Sequence, residues 1–68
     1  MITVDARGLS CPQPVLMTKD ALEKHPEGCQ VLVDAPAAKA NVSRYAKKAG
    51  YTVVLSEQDD DTLITISK

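Results

Sequence analysis

Phenylalanine and tryptophan are absent from these 68 residues, and tyrosine occurs only twice. A chain so poor in aromatic faces offers no broad platform on which bases could stack, and its core has to be built from Val, Leu, Ile and Ala. Neither sign of charge is in excess: eight Lys plus Arg stand against nine Asp plus Glu, for a formal net charge of −1. That balance argues against direct nucleic-acid binding, which needs a basic footprint. No apolar run approaches the length that spans a bilayer, so no membrane contact is expected, and no signal-peptide pattern precedes the first apolar segment. The two cysteines then read as free thiols in a reducing compartment. The expectation is one small cytoplasmic domain, residues 1–68, monomeric, burying about 60% of its unfolded surface.

What the chain does have is Cys11-Pro12-Gln13-Pro14. Proline lacks a backbone N–H and clashes inside a helix, but neither problem arises in the first turn, where no intrahelical acceptor is waiting. With Cys11 as the N-cap, Pro12 takes the first helical position and Pro14 the third. The locked φ angles stiffen the turn and hold the sulfur beside the positive end of the helix dipole. That location favours thiolate over thiol.

Around this stretch the elements can be read in order. Ile2-Thr3-Val4-Asp5-Ala6 alternates as a short strand with Ile2, Val4 and Ala6 on one face. Gly8 breaks it, making Arg7-Gly8-Leu9-Ser10 a tight link to the helix, with Leu9 packing just outside. From Pro12 to about His25, a helical wheel gathers Pro14, Val15, Met17, Thr18, Ala21, Leu22 and His25 on one side. Leu16 falls among the charged residues and is expected to be exposed near Cys11, either as an isolated surface leucine or as a partner contact. Pro26 and Gly28 end the helix. Gln30-Val31-Leu32-Val33-Asp34 reads as an inner strand, parallel to the first across a βαβ unit with a right-handed crossover.

A second helix follows Asp34-Ala35-Pro36, opening at Pro36 or capped later by Asn41, with Ala38, Val42, Tyr45, Ala46 and Ala49 inward and Gly50 as its left-handed cap. Lys39, Arg44, Lys47 and Lys48 form a basic stripe on its other face: a solvated surface, or a dock for acidic partners. Tyr51-Thr52-Val53-Val54-Leu55 and Leu63-Ile64-Thr65-Ile66 make an antiparallel hairpin across Asp59-Asp60-Asp61. Without the glycine and glutamate spacing of a calcium loop, those aspartates read as a solvated turn, and no metal or other cofactor is expected. The order βαβαββ gives an α/β, α+β two-layer sandwich: a four-stranded mixed sheet with two helices on one face, since each helix has only one apolar stripe to bury.

Asp5-Ala6-Arg7-Gly8-Leu9-Ser10-Cys11-Pro12-Gln13-Pro14-Val15 resembles the signature of the TusA/SirA family of small sulfur-carrier proteins. The likeness continues through Asp34-Ala35-Pro36-Ala37-Ala38 and the final hairpin. The second half, from Asn41-Val42-Ser43-Arg44-Tyr45 to Gly50-Tyr51-Thr52-Val53, is also similar to the N-terminal domain of YedF-type proteins of selenium metabolism. The resemblance implies that Cys11 receives sulfur as a persulfide from a cysteine-desulfurase-type donor and relays it to an acceptor protein, serving tRNA thiolation, cofactor synthesis or selenium metabolism. It implies a carrier rather than a turnover enzyme, since no general base is apparent near Cys11. Arg7, Gly8, Pro12 and Pro14 support the thiol, Asp5 is a structural partner of the link, and Leu16 with the basic stripe offers a docking surface.

Two residues depart from the pattern: Ser10 stands where well-known TusA-type carriers have Arg, and Gln13 where a charged residue is frequent. Both remove charge beside the sulfur, so partner choice need not be that of the tRNA-thiolation branch. Cys29 shares parity with Val31 and Val33 and reads as a buried small hydrophobe, with a resolving thiol as the alternative. The rival functions are a regulatory or protein-interaction module of the same fold and a nucleic-acid-binding domain. A dithiol redox enzyme would want C-x-x-C, and Cys11 has no second cysteine until Cys29.

Overall fold

In the computed structural model, which describes residues 1–9 and 13–68, six elements follow one another as β1 (Thr3–Asp5), α1 (Gln13–Lys24), β2 (Gly28–Val33), α2 (Pro36–Lys48), β3 (Thr52–Gln58) and β4 (Asp61–Ser67). The strands form a single sheet in the order β1-β2-β4-β3. β1 and β2 are parallel, while β4 is antiparallel to both β2 and β3. The βαβ unit, the mixed sheet and the closing hairpin are those the residue pattern leads one to expect.

Alternation decides which face is covered. Cys29, Val31 and Val33 of β2 and Ile64 and Ile66 of β4 are fully buried, and the intervening residues are only partly so. Both helices bury one stripe against that face: Pro14, Thr18, Ala21 and Leu22 from α1, and Ala38, Val42, Ser43 and Ala46 from α2. In α1 these are positions i, i+4, i+7 and i+8, and in α2 positions i, i+4, i+5 and i+8, spacings that keep side chains on one side of a 3.6-residue turn. Leu16 falls between them and is 53% exposed.

Pro36 occupies the first turn of α2 after an extended Ala35, so the helix opens there and Asn41 lies inside it. At the other end Gly50, at φ 92, donates to the Lys47 carbonyl at 3.1 Å, and Tyr51 N–H reaches the Ala46 carbonyl at 3.0 Å. This pair of bonds is the Schellman closure that a left-handed glycine permits. The inward face needs one correction. Ala49 is exposed at the cap, and Ser43 is buried in its place because Ser43 lies one turn before Ala46 on the packed side.

A second correction concerns Gly28, which belongs to β2 and does not cap α1. The helix stops at Lys24, and Gly28 N–H closes the following turn onto the His25 carbonyl at 2.9 Å. Glycine is required there for a different reason: at φ 130, any Cβ would run into the Ile66 carbonyl of β4. The hairpin strands are also longer than their apolar runs. β3 extends through Ser56-Glu57-Gln58, and β4 begins at Asp61, which pairs with Gln58. The turn is therefore Asp59-Asp60, with Asp59 at φ 55, a conformation that aspartate tolerates better than most residues.

Candidate functional site

The chain runs parallel in β1 and β2 and opposite in β4, so the ends of the first two strands and the start of the last meet at one rim of the sheet. Crevices outside the carboxyl ends of parallel strands are where α/β sheets commonly place ligand chemistry. Ala6 N–H donates to the Leu32 carbonyl at 2.8 Å, the last sheet bond before the chain turns away. Asp5 then accepts the backbone N–H of Arg7 at 3.1 Å, a short Asx-type turn.

The same carboxylate holds the Arg7 guanidinium at two points, from Nε at 3.0 Å and from Nη2 at 2.9 Å. Planar fork-to-fork pairing of this kind fixes orientation as well as charge. The remaining arm, Nη1, reaches Asp61 of β4 at 3.2 Å. Gly8, at φ 75, points its N–H into the carboxylate of Asp34, 3.0 and 3.1 Å from the two oxygens. Three carboxylates from three strand ends thus pin two residues that precede Cys11 in the sequence. An open cleft lies over them, lined by Asp5, Arg7, Gly8, Leu9, Asp34 and Asp61.

Charge follows geometry. Hydrogen bonding to Arg7 pulls the Asp5 carboxyl down from 3.8 to about 2, and the Asp5 and Asp61 partners push the guanidinium further up from its already high value. Asp5 is therefore an anion at any physiological pH and serves the link structurally, as its place in the sequence suggests. Among the described residues, no group of three or more His, Cys, Asp or Glu side chains is arranged to hold a metal ion.

Of the residues singled out in the sequence, Arg7 and Gly8 are brought together at this rim. Cys11 and Pro12 lie outside the described residues, and the proposed N-cap arrangement lies there with them. Pro14 is buried beneath the first turn of α1, where its carbonyl accepts the Thr18 hydroxyl at 2.8 Å. Arg44, Lys47 and Lys48 are exposed on α2, with Arg44 donating to Asn41 at 3.2 Å. Lys39 sits elsewhere: it is on the flank facing β3, where Nζ pairs with Glu57 at 3.1 Å. The wheel position of Lys39 borders the buried stripe, so its stem is half covered and its charge is neutralised locally.

Cys29 is fully buried in β2 opposite Ile66, and burial pushes its thiol up. A thiol in that place is protonated at neutral pH.

Sequence reasoning missed Asp34 and Asp61, which were read as a strand end and part of a solvated turn. Their partners lie 26 and 54 residues away, and only the strand order brings them to one rim.

The family model described as Sulfurtransferase TusA matches residues 2–68. A candidate sulfur carrier protein of Methanocaldococcus jannaschii is 41% identical over 70 aligned residues, covering 100% of this chain and 93% of its own. Another, from Aquifex aeolicus, is 34% identical over 68 residues, covering 97% of this chain but 34% of its own length. The crystal structure of a SirA-like protein from Desulfitobacterium hafniense superposes with a TM-score of 0.91 at 37% identity, covering 98% of this chain and 96% of that one. With a family match over almost its whole length and a shared fold at that level of identity, the chain belongs to the TusA sulfurtransferase family.

Proposed function

We propose that the protein is a sulfur carrier whose Cys11 accepts sulfur as a persulfide and hands it to an acceptor protein. Family membership supports the carrier role, and the sulfur-carrier names of its relatives point the same way. The observation that carries the choice of residue is the clamp on Arg7 and Gly8: two residues three to four positions before the cysteine are fixed by Asp5, Asp34 and Asp61. A carrier thiol has to be a thiolate, exposed and firmly placed, and a pinned strand-to-helix link supplies the last of these. Cys29 is firmly placed in β2 but is buried, with its thiol pushed up by burial, so it meets neither of the other two.

In the transfer, the Cys11 thiolate attacks the outer sulfur of a donor cysteine persulfide. The donor S–S bond breaks as the new one forms, the donor cysteine leaves as a thiolate, and no external oxidant or reductant is consumed. Delivery repeats the exchange, with Cys11 as the leaving thiolate. A cysteine-desulfurase-type enzyme fits the donor role, because it generates an enzyme-bound persulfide of this kind. Leu16 together with Arg44, Lys47 and Lys48 is the docking face for these partners.

Intact-mass measurement after mixing with a cysteine desulfurase and cysteine tests the proposal. The expected result is a gain of one sulfur atom on Cys11, reversed by a reducing thiol and absent in Cys11→Ser. Retention of the added sulfur by Cys11→Ser, or its mapping to Cys29, would overturn the assignment.

A further inference from the structure

The two edges of the sheet are unlike. β1 is three residues long and runs straight into the Asp5–Arg7 clamp, so it gives a partner strand little to pair with. β3 is seven residues long and pairs with β4 without a break from Thr52↔Ser67 to Gln58↔Asp61, leaving its other side unpaired at the sheet edge. Natural edges are blunted by proline, lysine, a bulge or extreme shortness. β3 has no proline, lysine or bulge, its charged residue Glu57 is paired with Lys39, and it carries Val54 at 56% and Leu55 at 47% exposure, one on each face of the sheet.

The charges at the two ends of this strand differ in sign. Lys47 and Lys48 end α2 just before β3 begins, and Lys68 sits over the Tyr51 ring, 5.4 Å from its centroid, at the same end. Asp59 and Asp60 form the turn at the other end. An incoming copy of β3 in parallel would set like charges side by side. In antiparallel it would lay the acidic turn of each copy along the basic end of the other, twice, with one two-fold axis relating the contacts.

We propose that the protein self-associates reversibly through β3, pairing antiparallel with the β3 of a second copy to form one continuous eight-stranded sheet. A two-fold near Leu55, the middle residue of the strand, sets Thr52 of one copy opposite Gln58 of the other, brings the two Leu55 side chains face to face and lays Val54 of each copy against Ser56 of the other. This is an isologous interface, self-complementary in backbone, apolar contact and charge. The Arg7 rim lies toward the opposite sheet edge, so pairing leaves both copies of that rim open.

Sedimentation equilibrium of the full chain over a concentration series, at low and high salt, reads the association. The mean mass should rise with concentration from 7.3 kDa toward twice that value, and salt should weaken the rise because the end contacts are exposed charges. Leu55→Lys should hold the protein monomeric. Two further variants leave the strand untouched: Lys47→Glu with Lys48→Glu makes both ends acidic, and Asp59→Lys with Asp60→Lys makes both basic. Each alone should associate about tenfold more weakly than wild type, and the two mixed should recover a heterodimer. A constant monomer mass up to the highest concentration would overturn the proposal. So would association indifferent to the charge variants, or the absence of a heterodimer on mixing, even if Leu55→Lys were to unfold.

Discussion

At the scale of single residues, Ser43 shows how a helical position can be packed correctly and still be imperfect. It lies within the buried stripe of α2, yet its hydroxyl has no hydrogen-bond partner among the described residues. A buried hydroxyl without a partner forfeits the hydrogen bonds it made to water in the unfolded chain. Ser43→Ala removes that deficit and improves helix propensity together. The expected change is a gain of about 1 kcal/mol in unfolding free energy, checked by urea titration. A loss of the same size would show that the hydroxyl is bonded in solution. Thr18 is the contrasting case: it is buried more completely still, but its hydroxyl is satisfied by the Pro14 carbonyl, so Thr18→Val should cost stability rather than add it.

At the scale of elements, the two helices present a joint outer surface on which Leu16 is the exposed leucine of α1 and Arg44 stands at the centre of the solvent arc of α2. Transient docking draws its rate from charge and its residence time from apolar contact. Arg44→Glu should therefore slow sulfur acceptance from a desulfurase at low salt and approach wild type as salt rises. Leu16→Asp should slow it at every salt concentration. Transfer kinetics for both variants across an ionic-strength series provide the check, and wild-type rates throughout would discard this face. The exposure of Leu16 was legible in the sequence because a 3.6-residue period is a local property. The extension of β3 through Ser56-Glu57-Gln58 was not, because an edge strand with most residues in solvent needs no alternation to announce it. Gly28 was misread for a related reason: a glycine after a helix usually marks a cap, and the demand on this one comes from Ile66, 38 positions downstream. The distant partners of Arg7 and Gly8, Asp61 and Asp34, were hidden in the same way, since strand order is not written in any local pattern.

For the whole molecule, ion pairs between exposed side chains set the response to acid. The Asp5 carboxyl in the folded chain stands at about 2, held down by Arg7, against 3.8 for the free group. Lys39, with help from Thr62, lowers Glu57 as well. A carboxyl whose folded pKa is depressed contributes stability that is fully present above its unfolded pKa and is lost as pH falls through the folded one. The thermal midpoint should thus be flat above about pH 5 and decline between roughly pH 4 and pH 2. Asp5→Asn and Glu57→Gln should each start lower at neutral pH and lose less on acidification. Calorimetry across that range decides it, and parallel pH profiles for variant and wild type would count against the clamp. The effect is small for any one pair, because both partners are in water.

The sheet order has a consequence for how the protein comes into being. β4, the last strand, is not at an edge but lies between β2 and β3, and it supplies Ile64 and Ile66 to the core and Asp61 to Arg7. On the ribosome, therefore, the early strands and both helices emerge without the strand that joins the sheet into one. The hydrophobic face stays open, and Arg7 lacks its third-strand partner, until residues 61–67 have left the exit tunnel. Folding is held back to the end of this stretch of translation, and the link that precedes Cys11 gains the last of its three carboxylates only on chains synthesised that far.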